Sequence, residues 1–289
     1  MDTDPTPRRS ARPVLAGAAA GAAALLLAAG PAAADTSTAA ANAARVGALT
    51  APLATSGTAT ASNDGSTALV TTAQTPALSV LGGQGGITAG TLVQTAAARG
   101  DGTSTACAGL VGSGGAVTVG ATGICTTSSG TGGVRVVLVP GTEVRADALH
   151  ASCTASSDGT ATASARLVNA RVVTVGLTGN VTSTVLSLTG NPAANSGVTV
   201  PGVATLGLNV QDAPAGAGSV RASALRITLL SGLAAEVNVG TVTCGANART
   251  VPVPALPGPA VPVAAAALLV AGWGLRGRVR EAVAAVRRG

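Results

Sequence analysis

Two stretches of 26 residues, 57 positions apart, align without a gap: ITAGTLVQTAAARGDGTSTACAGLVG (87–112) and VRADALHASCTASSDGTATASARLVN (144–169) share eleven identities. Alanine bias contributes to that score, but the shared Asp-Gly-Thr does not come from alanine. Each stretch reads as an alternating segment, a turn at Asp101-Gly102 or Asp158-Gly159, and a second alternating segment ending in Leu-Val. Asp-Gly between alternating segments is a strong hairpin signal, because glycine accepts the positive φ that tight hairpin turns require. A third start, VRASAL at 220–225, matches VRADAL at 144–149 in five of six positions. The chain therefore reuses a β unit, at least in part.

What can pack between such units is limited by the side chains available. The 289 residues include no Phe, no Tyr and one Trp, so any core is thin and aliphatic, built from Ala, Val, Leu and a little Ile. With 40 Gly and 15 Pro, turns are frequent. Asn63-Asp64-Gly65 predicts an earlier hairpin, and further strands are expected at 134–139, 170–177, 181–188, 203–210 and 237–244. The expected fold is all-β: an antiparallel β-sandwich built from repeated hairpins. A β-solenoid is the alternative, disfavoured by the unequal offsets of 57 and 76 residues between the three starts.

The formal charge of +6 does not make this a nucleic-acid binder, because the excess is terminal. Residues 35–250 carry nine Arg against eight acidic residues, with no aromatic platform for stacked bases. No nucleic-acid partner is expected.

The first 34 residues have the three-part layout of a secretory signal: Arg8, Arg9 and Arg12, an apolar run from Val14 to Gly30, and small residues Ala32-Ala33-Ala34 before Asp35. Cleavage is expected after Ala34. Arg8-Arg9 leaves Sec and twin-arginine export both open. Export implies an oxidising compartment, where the four cysteines, Cys107, Cys125, Cys153 and Cys244, read as two disulfides. Three connectivities are possible. Cys107 with Cys125 and Cys153 with Cys244 is favoured, because the first closes a short Gly-rich loop and the second ties two related strands. No C-x-x-C pair accompanies them and the sole histidine, His150, stands apart, so neither a metal site nor a cofactor is expected.

VRADALHASCTASSDGTATASARLVNARV (144–172) and VRASALRITLLSGLAAEVNVGTVTCG (220–245) resemble the choice-of-anchor P proteins of actinobacteria. The first is similar to that family's strand with a Cys, Gly-containing turn and return strand, the second to its closing segment ending in Thr-Cys-Gly. The resemblance implies a surface-anchored β domain of unknown activity and carries over no functional residue. Cys107 and Cys125 lie outside these stretches.

The C-terminus has the layout of an anchor: a Pro-rich spacer (251–262), then an apolar run and an Arg-rich tail (263–289). From Val263 to Leu275 is thirteen residues, about 20 Å as helix against a hydrocarbon core of about 30 Å, so a span must recruit uncharged residues upstream. LPGPA at 256–260 resembles a sortase signal but offers Pro259-Ala260 where Thr-Gly is needed. The expected organisation is a signal peptide (1–34), an extracytoplasmic β domain (35–250), a spacer (251–262) and a transmembrane anchor with a basic tail (263–289).

No catalytic residues are predicted. No G-x-S-x-G elbow surrounds any serine that could join His150 in a triad. Glu143 and Asp147, four apart on a strand, need not converge. Asp64, Asp101 and Asp158 raise calcium only weakly, since one carboxylate per turn is too few. The expected protein is a membrane-held, cell-surface structural or adhesive β domain with an unidentified envelope partner and no catalytic activity. The competing reading is a secreted hydrolase or binding module for envelope material, with acidic side chains converging near His150.

Overall fold

A computed structural model describes residues 35–48, 51–76, 86–230 and 235–249. The predicted signal peptide, spacer and transmembrane anchor lie outside the described residues. Among the described residues no helix is long and apolar enough to cross a membrane.

Every named element is a strand. The chain runs through β1 (Ser37–Ala48), β2 (Ala51–Thr55), β3 (Ala59–Asn63), β4 (Leu69–Gln74), β5 (Ile87–Ala89), β6 (Thr91–Arg99) and β7 (Ser104–Val111). It continues with β8 (Ala116–Val119), β9 (Cys125–Ser128), β10 (Val134–Val139), β11 (Thr142–Ala146), β12 (Ala148–Ala155) and β13 (Ala161–Val168). The last six are β14 (Arg171–Val175), β15 (Val181–Ser187), β16 (Ser196–Val200), β17 (Ala204–Asp212), β18 (Val220–Leu229) and β19 (Ala235–Cys244).

They form an antiparallel sandwich. The first sheet has seven strands in the order β16-β17-β18-β19-β1-β2, with β3 also on β1. The second is β13-β12-β7-β6-β4, the third β15-β14-β11-β10-β5, and β8 pairs with β9. Every ladder between the named strands is antiparallel, which is not the pattern of a solenoid.

The repeat is visible as structure. Residues 87–112 form β5, β6 and β7, residues 144–169 form β11, β12 and β13, and the two hairpins lie side by side because β7 pairs with β12. In each unit the leading strand breaks once, at Gly90 or Asp147. Gly90 has φ +125°, and a Cβ there would stand 3.2 Å from the Val111 carbonyl. At the second break Asp147 donates its N–H to Val168 O (2.9 Å), and the Asn169 amide donates to Asp147 Oδ2 (2.5 Å) from a residue at φ +50°. β11 continues into β12 and β13 into β14 across these breaks, so the third sheet is the bent continuation of the second. The third start departs from the pattern: Val220 opens β18, a ten-residue strand of the first sheet that is unbroken and pairs with the next strand, β19. Asn63-Asp64-Gly65 also departs from expectation. β3 pairs with β1 and β4 with β6, so this turn carries the chain from one sheet to the other instead of closing a hairpin.

The core is aliphatic. Leu92, Leu110, Leu149 and Leu167 of the second sheet meet Leu206, Leu225, Ile227 and Val239 of the first, with alanines between them. Alanine on facing strands lets the sheets approach closely: a Cβ on Gly240 would lie 2.6 Å from Ala108 O and 3.2 Å from Ala151 N. Strands β6 and β7 were expected to alternate, but they are buried almost throughout. Their outer face is covered by β8 and β9, where Val117 packs on Val93, Cys107, Val111 and Ala148.

Candidate functional site

The disulfides join the two packing layers to the sandwich. Cys107 of β7 is bonded to Cys125 of β9, with Cα atoms 6.1 Å apart, and holds the covering hairpin down. Cys153 of β12 is bonded to Cys244 of β19, with Cα atoms 5.9 Å apart, and ties the two sheets through the core. This is the favoured pairing, and no free cysteine remains.

The first sheet is creased. Its ladders skip one level on four neighbouring strands, at Asn209, Ala224, Gly240 and Ala43, where Asn209 (φ +50°) and Gly240 (φ +62°) adopt left-handed conformations. At this level Ala43 and Ala224 are buried and Gly240 has no side chain, and a groove of about 590 Å³ lies on the outer face between residues that flank it, among them Asn42, Ser223 and Thr241. Its walls are amides, hydroxyls and a charge network: Arg226 Nε donates to Asn238 Oδ1 (3.1 Å), Asn238 Nδ2 to Glu236 Oε1 (2.7 Å), and Ser223 and Thr241 share a hydrogen bond of 2.9 Å. On the inner side, Gln94 of β6 accepts the Ala43 N–H (2.9 Å) that the skipped level leaves free.

A second groove, of about 640 Å³, runs along the outer face of β12 and β13 beside the covering hairpin. It is paved by cross-strand hydroxyl pairs, Ser152 with Ser164 (3.0 Å) and Thr154 with Thr162 (2.9 Å), and Ile124, 63% exposed, stands on its wall. His150 closes one end, directly across from Arg166. The ring is 6% exposed, its Nε2 lies 3.3 Å from Thr127 Oγ1, and its Nδ1 has no partner. Burial, and then the Arg166 charge, push its pKa down to about 4, so the imidazole is neutral at neutral pH. No carboxylate lines this groove. The four hydroxyls that pave the groove engage one another, and among the described residues the imidazole meets only the Thr127 hydroxyl.

The other candidates are separated. Glu143 is buried and paired with Arg145, whereas Asp147 is exposed at the bend and held by Asn169. Asp64, Asp101 and Asp158 close their own turns, accepting from the N–H groups of Ser66 (2.9 Å), Thr103 (2.9 Å) and Thr160 (2.8 Å), and hydrogen bonding holds all three carboxyls below the usual value. Among the described residues no group of three or more His, Cys, Asp or Glu side chains is arranged to hold a metal ion.

Two features were not legible in the sequence. One is a row of guanidiniums across three strands of the third sheet: Arg135 of β10 faces Arg145 of β11, which faces Arg171 of β14. The other is Asn247, 9% exposed, which joins the end of the body to three strands or turns far away in sequence. Spacing alone relates neither set, because strand register decides which residues meet. No protein-family model, curated protein or solved structure matches this chain.

Proposed function

We propose that the chain is an exported β domain displayed at the cell surface on its own C-terminal segment, with a structural or adhesive and non-catalytic role in the envelope, similar to the choice-of-anchor P proteins. One observation carries the reading. Thr36 and Ala248 pair in both directions, N–H to carbonyl at 2.9 and 3.1 Å, so both ends of the described body lie together at one pole. A body with this arrangement suits presentation on a single tether, with its opposite end free. Two disulfides support an oxidising compartment.

Fractionation of producing cells, with intact-mass measurement before and after reduction, tests this reading. The expected result is a membrane-associated chain beginning at Asp35 and gaining four hydrogens on reduction. A chain found in the medium with its tail intact would remove the anchor and favour a diffusible role. A second reading, a module that binds envelope material, is supported by the hydroxyl-paved groove beside His150.

A further inference from the structure

Like charges directly opposite one another on neighbouring strands repel and destabilise a sheet, yet Arg135, Arg145 and Arg171 stand in line on three adjacent strands. Neighbouring strands are about 4.8 Å apart, so the outer two are separated by about 10 Å. Only the central arginine is neutralised: Arg145 pairs with Glu143 and also donates to Gly179 O at 2.7 Å. Arg135 and Arg171 are exposed and have no ion pair among the described residues. Between them runs a shallow groove of about 270 Å³, bounded by Gly132, Gly133 and Asn169, with Asp147, already bonded to Asn169, at its margin.

The row also lies far from the pole where the body begins and ends. The turns of the two repeat hairpins sit at that pole, since a Cβ on Gly102 would come within 2.8 Å of Asp35 Cβ. From there β12 runs eight residues to the bend at Asp147, and the row is two residues beyond it on β11. At about 3.3 Å per residue this is roughly 30 Å of strand.

We propose that this row docks a linear phosphate-bearing polymer of the cell envelope. Two open arginines rooted on strands about 10 Å apart call for a ligand with charge on successive units rather than a single ion. Guanidinium forks hydrogen-bond phosphate oxygens well. Glu143 meets Arg145 through Nε, whereas each phosphate of a polymer carries oxygens in several directions, so that successive groups can meet guanidiniums on different strands. The display reading supplies only the source of the polymer; binding is a property of the purified protein, so either idea can fail without the other.

The test is titration of the purified full chain with inorganic polyphosphate at two salt concentrations, with polygalacturonate as the carboxylate counterpart. Wild type should bind polyphosphate more tightly than polygalacturonate. Its affinity should drop about tenfold between about 50 and 200 mM salt, as expected for roughly two phosphates engaged. Arg135→Gln with Arg171→Gln should lose at least about tenfold in affinity, while Arg221→Gln with Arg249→Gln, which removes the same charge elsewhere, should stay close to wild type. Thermal unfolding gives a second readout: polyphosphate should raise the midpoint of wild type and of the control, and not that of the row variant. Equal loss in both double variants would reduce the effect to net charge and overturn the site, as would absent binding. A preference for polygalacturonate would overturn the phosphate assignment.

Discussion

Replacing Asn247 by alanine should be among the most damaging single changes in the body. Its side-chain oxygen accepts the Thr38 N–H at 3.0 Å and the Ser104 hydroxyl at 3.3 Å, while its amide donates to Gly102 O (2.9 Å) and Ala155 O (2.9 Å). One side chain thus joins β1, the turn after β6, the start of β7 and the end of β12. Alanine would leave one backbone N–H and two carbonyls without partners in a site that is 9% exposed. An unsatisfied buried group costs about 1–3 kcal/mol, so three such groups sum to about 3–9 kcal/mol, against a total stability of about 5–15 kcal/mol for a typical domain. Equilibrium urea unfolding with the disulfides intact measures it. With a slope of about 2 kcal/mol/M, the midpoint should fall by at least about 1.5 M and the slope should not change. Asn247→Asp, which keeps the acceptor but turns an anion toward two carbonyls, should be at least as destabilising. A variant within about 0.5 kcal/mol of wild type, the range of an ordinary surface change, would refute the claim that this side chain holds the end of the body in place.

Other perturbations separate the remaining elements of the fold. Loop-closure entropy assigns about 4.6 kcal/mol to Cys153–Cys244, with a separation of 91, and about 3.2 kcal/mol to Cys107–Cys125, with a separation of 18; paired Cys→Ala variants compared by denaturant unfolding should keep that order. His150 is held neutral in the fold with a pKa of about 4, below its ordinary 6.5. The unfolded chain therefore binds the proton first as pH falls. Stability is full above about pH 6.5 and falls by about 3 kcal/mol on descending to about pH 4, and His150→Gln should flatten that slope. The turn carboxylates act in a lower window, because lowered acid pKa values withdraw stability only as pH falls below their usual 3.8. Gly240→Ala combines φ +62° with a Cβ 2.6 Å from a backbone oxygen of the opposite sheet; it should cost about 2–4 kcal/mol, and a neutral result by thermal unfolding would show that the crease can open.

Local signals decided a large part of this protein. Alternation of Val, Thr and Ala against Gly, Asn and Asp marked strands such as β10 and β15 close to their observed ends, because pleating and positive-φ turns are properties of a few neighbouring residues. The duplicated Asp-Gly hairpins were legible for the same reason. Cysteine spacing favoured the observed pairing. Partnership between distant segments was not legible. Asn63-Asp64-Gly65 has the chemistry of a hairpin turn, yet the sheet that each flanking strand joins is set by burial against the rest of the body. β6 and β7 lose their exposed face to a hairpin that comes later in the chain. The third copy of the repeat start stays one strand: the first sheet is creased at Ala224 without the break that the second copy has at Asp147. Arg135, Arg145 and Arg171 form a row, and the groove over Gly240 exists, only through register across neighbouring strands. Register is a global quantity, since a shift of one residue exchanges the faces of a whole strand, and the buried face that forbids the shift is created only when both sheets are in place.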